Sequence, residues 1–96
     1  MNIARPPGGF TINMSPNVRI LIEQACAQSP EFARHWENIV DRLRFTAHVE
    51  GVADNRFENG CRLWSTAADN DRDLPRVLLV YKVLGSRVYI QVASVS

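Results

Sequence analysis

Apolar and polar positions change period twice along the chain, and each change marks a new kind of element. Phe10-Thr11-Ile12-Asn13-Met14 alternates apolar and polar and carries β-branched residues, the signature of a short strand. At Ser15-Pro16 the spacing lengthens: Val18, Leu21, Ile22 and Ala25 fall at i, i+3, i+4 and i+7, one stripe along a helix. Ser is a favoured N-cap, and Pro in the first turn gives up an N–H that has no partner there anyway. The pattern therefore predicts a helix from this step to about Gln28. Ser29-Pro30-Glu31 repeats the device and adds an acid where the helix dipole favours one. Behind it Phe32, Trp36, Ile39, Val40, Leu43 and Ala47 keep helical spacing up to a stop at Gly51, while Arg34, Glu37, Asn38, Asp41, Arg42 and Arg44 fill the other sides. A proline inside one continuous helix would remove a hydrogen bond and clash, so the two segments read as an αα-hairpin.

From Val52 onward the period is two. Asn59-Gly60 reads as a tight turn whose residues tolerate positive φ, and Cys61-Arg62-Leu63-Trp64-Ser65 as the strand after it. Residues 66–75, with Asp69-Asn70-Asp71-Arg72-Asp73 inside, form a polar connection. Residues 76–84 and 87–95 are two β-rich runs around Gly85-Ser86, a loop of the Gly-X kind that closes type II′ hairpins. Pairing continued from Leu84 opposite Arg87 sets Val83 opposite Val88, Tyr81 opposite Ile90, Val80 opposite Gln91 and Leu79 opposite Val92. Opposed side chains share a face. Val77, Leu79, Tyr81, Val83, Val88, Ile90 and Val92 then form a core face, expected to lie on Leu21, Ile22, Trp36, Ile39, Val40 and Leu43, since these two apolar surfaces are large enough to cover each other. Arg76, Leu78, Val80, Lys82, Leu84, Arg87, Tyr89, Gln91 and Ala93 form the opposite face.

Composition matters here through its distribution. Lys+Arg 11 against Asp+Glu 10 gives a net charge of +1, which exerts no global pull on nucleic acid or anionic lipid. Residues 75–96 nevertheless contain no acid, and their three cations, Arg76, Lys82 and Arg87, all fall on the non-core face. Hydrophobic residues at 46% and charged residues at 22% belong to a globular chain, and 96 residues suffice for one domain. That domain is expected over residues 10–96, after a flexible arm of residues 1–9 whose Pro and Gly hold no regular element. Cys26 and Cys61 are too few for a disulfide framework and lack metal-ligand spacing, so they read as reduced, buried thiols. No signal-type apolar segment and no run of ~18 apolar residues is present, which points to the cytoplasm and away from a membrane.

The order strand, helix, helix, then three antiparallel strands resembles the RelE/ParE toxin superfamily, bacterial proteins that act in toxin–antitoxin pairs. Val80-Tyr81-Lys82-Val83-Leu84-Gly85-Ser86-Arg87-Val88-Tyr89-Ile90-Gln91-Val92-Ala93-Ser94-Val95 is similar to that family's last hairpin, which typically reads V-Y-x-V, a two-residue turn, then a basic residue and an alternating Val/Ile strand. Residues 60–64 resemble the strand before it, and Ser29-Pro30-Glu31-Phe32-Ala33 with Leu43 and Gly51 resembles the preceding helix. The resemblance implies an α+β fold: a short N-terminal strand, an αα-hairpin and a three-stranded antiparallel meander. It implies one of two activities, ribosome-dependent cleavage of mRNA by an endoribonuclease (an mRNA interferase) or poisoning of DNA gyrase. Either would be neutralised by a cognate antitoxin, and neither calls for a cofactor or metal.

In the nuclease branch, basic residues on the outer sheet face hold the phosphate and stabilise its charge. Carried onto this chain, that role makes Arg76, Arg87 and Tyr89 catalytic candidates and Arg62, Lys82 and Gln91 RNA-binding candidates. The position three residues before the hairpin tyrosine usually carries an Arg; here it is Leu78, and the nearest Arg is Arg76. The family's basic and aromatic tail has no counterpart before Ser96, so the wild-type protein is expected to cause no growth arrest. The alternative is a non-enzymatic interaction domain that uses the sheet face or the helix groove.

Other polar residues read more simply. His35, between Arg34 and Trp36, and His48 near the helix end are expected to face solvent or cap, with no partner spacing that suggests catalysis. Trp36 belongs to the core stripe, whereas Trp64 fits either face of its strand. The Asp69, Asp71, Asp73 triplet lacks the Gly and Glu that a calcium loop needs at its sixth and twelfth positions, where Leu74 and Val80 stand, so it is a solvated loop.

Overall fold

Both Ser-Pro steps begin helices. Ser15 and Ser29 hold extended backbone, and their hydroxyls accept from the amides of Val18 and Phe32, at 3.4 and 3.1 Å. The computed structural model describes residues 8–56 and 59–96, so residues 1–7 of the expected arm lie outside the described residues. Its elements are β1 (Thr11–Met14), α1 (Pro16–Gln28), α2 (Pro30–Thr46), β2 (Val52–Ala53), β3 (Cys61–Ser65), β4 (Val77–Leu84) and β5 (Arg87–Val95). No helix among them is long and apolar enough to cross a membrane.

α2 stops at Thr46, short of the expected stop at Gly51. The Thr46 hydroxyl donates back to the Arg42 carbonyl at 2.6 Å, and the Val49 and Glu50 amides both turn back onto the Thr46 carbonyl. The Ala47 carbonyl and those of Glu50 and Gly51, just after the helix, are met from the sheet. The Tyr81 hydroxyl lies 2.8 Å from the Ala47 carbonyl and 3.0 Å from that of Glu50, while the Arg62 guanidinium donates to the Glu50 and Gly51 carbonyls. Burial in this position pushes the Tyr81 hydroxyl up to about 12, against the lowering influence of Arg62.

The strands form one mixed sheet in the order β1-β5-β4-β3-β2. The expected three-stranded meander is too small: β2 extends the antiparallel run to four strands, and β1 joins β5 in parallel. Asn59 and Gly60 form a turn before β3, but not of type I′: Gly60 takes φ 87 and donates its amide to Asn55 Oδ1, while Asn59 does not take a positive φ. Gly85 takes φ 60 while Ser86 does not, as a type II′ turn requires.

From the turn the β4–β5 register runs as expected through Tyr81↔Ile90, then shifts so that Val80 faces Val92 and Leu79 faces Ala93. Gln91 is the extra residue of a β-bulge. Val92, expected in the core, is consequently 36% exposed on the outer face, and Ala93, expected outside, packs inward with Val95. The shift accompanies the exit of β1 into α1, where the Ser15 amide donates to the Ile90 carbonyl and its hydroxyl to the Gln91 carbonyl.

Phe10, Val18 and Ile22 meet Phe32, Trp36, Ile39, Leu43 and Ala47 over Trp64, Val77, Leu79, Tyr81, Val88 and Ile90 in one core. Both helices thus cover the same side of the sheet. The other side is open.

Candidate nucleic-acid interface

The open face is built by strand alternation. Cys61 is paired with Lys82, Lys82 with Tyr89, and Tyr89 with Asn13, so four strands place these residues in one row across the sheet, about 14 Å from end to end. Arg87 and Leu84 lie one step toward the turn, with Thr11 beside Arg87. Gln91 lies on the far side of the row, beside Val80 and Val92. No Asp or Glu occupies an outward position on any described strand, while Lys82 and Arg87 both do.

Four of the six candidate residues, Lys82, Arg87, Tyr89 and Gln91, are therefore neighbours. Arg76 is not. It is tied by paired backbone bonds to Ser96 at the other end of the hairpin, eight residues from Leu84, or about 26 Å. Arg62 lies on the opposite face. It is paired with Tyr81 and shares the helix side with Trp64, where the orphan carbonyls after α2 draw its guanidinium inward. An arginine in a strand is by default a solvent residue, and the local alternation around it says nothing of carbonyls eleven and twelve residues away.

Neither histidine reaches the open face. Instead of facing solvent, His35 packs against the Phe32 ring and His48 against the Phe10 ring, both half-buried on the helix side. Cys61 is buried, as expected, and Cys26 half-buried, its thiol pushed up by burial and by the nearby Glu37 charge. No group of three or more metal-ligating side chains occurs among the described residues. Asn13 and Cys61 are members of the row that residue patterns missed. Only the parallel β1–β5 pairing and the full β3 register bring them there.

Beneath the open face, Glu50 holds the end of α2 to β3. Its carboxylate accepts from Arg42 Nε at 2.8 Å and Trp64 Nε1 at 3.1 Å, Thr46 Oγ1 lies 3.2 Å away, and the Arg42 guanidinium lies 6.0 Å from the Trp64 ring centre. The Arg42 bond, helped by Trp64 and Thr46, lowers the Glu50 carboxyl below its usual 4.5 despite partial burial. A folded value below the unfolded one means that this group stabilises the fold above the unfolded value and ceases to do so as pH falls through the folded value. Chemical denaturation at stepped pH should therefore show wild type losing stability below about pH 4.5 more steeply than Glu50→Gln, which is expected to be less stable at pH 7.

Comparison with protein families, with curated proteins and with solved structures gives no match. What the face can do chemically rests on its own residues. Lys82 and Arg87 suit phosphate oxygens, Tyr89 offers a ring to a base, and Gln91 and Asn13 offer amides to polar edges.

Proposed function

We propose that the chain is a RelE/ParE-like member of a cytoplasmic toxin–antitoxin pair, catalytically impaired, whose open sheet face binds single-stranded RNA at the ribosome and whose partner is a cognate antitoxin. The observation that carries this reading is the grouping of Lys82, Arg87, Tyr89 and Gln91 as neighbours on an outer face whose described strands carry no Asp or Glu. Cleavage is not part of the proposal: Arg62 faces the helices, Arg76 stands apart, and both histidines lie on the other side of the sheet.

A fluorescein-labelled, unstructured RNA decamer tests it. Wild type is expected to bind with an affinity that falls as salt rises, and replacing Lys82 and Arg87 together by Ala should flatten the log–log salt slope by about 1.4, two phosphate contacts at ~0.7 each. Stability should change by less than ~0.5 kcal/mol, as both side chains are peripheral to the core. An unchanged slope would sink the RNA reading. Binding to gyrase in its place would select the ParE branch.

A second reading, a non-enzymatic protein-interaction domain, draws on Leu84 and Val92, apolar residues exposed on the same face. It predicts that Leu84→Ser, and not the charge variants, abolishes partner binding.

A further inference from the structure

Gln91 is held from two directions by residues distant in sequence. Its carbonyl accepts from Ser15 Oγ at 3.2 Å, and the carbonyl before it, that of Ile90, accepts from the Ser15 amide at 3.0 Å. Its side-chain Oε1 lies 3.2 Å from Cys61 Sγ. Cys61 belongs to β3 and Gln91 to β5, with β4 between them, so the glutamine side chain reaches across β4. Val80 of β4 is 1% exposed although its side of the sheet carries no helix, and Cys61 is equally covered.

Ser15 contributes on two sides at once. Its oxygen accepts from the Val18 amide to cap α1 while its hydroxyl hydrogen is given to the bulge, so the start of α1 and the position of Gln91 depend on one hydroxyl. Alternation puts Gln91 on the open side, and the bulge turns Val92 there as well.

We infer that Gln91 is the specificity-determining contact of the open face, and that Ser15 and Cys61 are its positioning residues. Lys82 and Arg87 read phosphate, which every nucleotide carries, whereas a planar amide held in one orientation distinguishes base edges by their donors and acceptors. A glutamine ordered before the ligand arrives does not lose that rotamer freedom on binding. The base-reading half of the inference rests on the RNA reading above; the positioning half does not.

Two measurements separate them. NMR relaxation of the Gln91 side-chain amide should show an ordered group in wild type, an order parameter below about 0.6 in Ser15→Ala and in Cys61→Ala, and recovery in Ser15→Thr. A mobile amide in the wild-type protein overturns the positioning roles whatever binds to the face. Affinities for the homopolymers rU10, rC10 and rA10 should differ in wild type by about fivefold, a preference that Gln91→Ala removes and that Ser15→Ala removes without adding to Gln91→Ala. Equal affinities for all three, with the amide ordered, overturn the specificity role and leave the RNA reading intact; no binding to any of them overturns both.

Discussion

Replacing Ile90 by Ala is expected to cost about 2–5 kcal/mol of stability, the usual range for emptying a fully packed site. Ile90 has no exposed surface, faces Tyr81 on one side and Met14 on the other, and belongs to the central cluster. The informative comparison is Val92→Ala, which should cost less than ~0.5 kcal/mol because the bulge at Gln91 has moved Val92 to the open face. An uninterrupted register would make both positions core. Denaturant titration of the two variants therefore measures the bulge itself, and equal large losses would show that the strand pairs without it.

Gly51→Ala is expected to lower stability by about 3 kcal/mol, from the cost of a left-handed backbone in a residue with a Cβ together with overpacking. Gly51 sits at φ 72, and a Cβ there would stand 2.6 Å from the Leu63 carbonyl oxygen. Its surroundings have little room to give. The Gly51 and Glu50 carbonyls are already gripped by Arg62, and the Glu50 carboxylate by Arg42 and Trp64. For a domain of this size the change corresponds to a fall in Tm of at least ~12 °C in a thermal scan. A shift below ~4 °C would mean that the segment after α2 relaxes freely.

How much of this fold can be read from residues depends on how local its causes are. The Ser-Pro caps start α1 and α2 through bonds three residues long, and the Gly85-Ser86 turn sets the first four pairs of the hairpin by its own geometry. Those features, and with them the grouping of Lys82, Arg87 and Tyr89, follow from short-range chemistry. The bulge does not, because the alternation Val88-Tyr89-Ile90-Gln91-Val92 continues smoothly through it. Its partner is Ser15, 76 residues away. Arg62 turns inward for a similarly remote reason, since the segment after α2 presents the Glu50 and Gly51 carbonyls to strand β3. Asn13 enters the row through a parallel pairing that no hairpin signal announces.

The parallel β1–β5 pairing also sets a timetable. On the ribosome β1 is made before either helix, yet its partner positions, Arg87 to Ile90, are made more than seventy residues later. Until then Ile12 and Met14 have no sheet to join, and the αα-hairpin can form before the strand that precedes it in sequence is docked. Contacts of such long sequence separation are slow to close, so docking of β1 is placed late in folding, after β4–β5 has formed through its tight turn. A nascent chain halted before Val88 would carry both helices and β4 with β1 still unpaired, an open edge that a chaperone or another chain can reach.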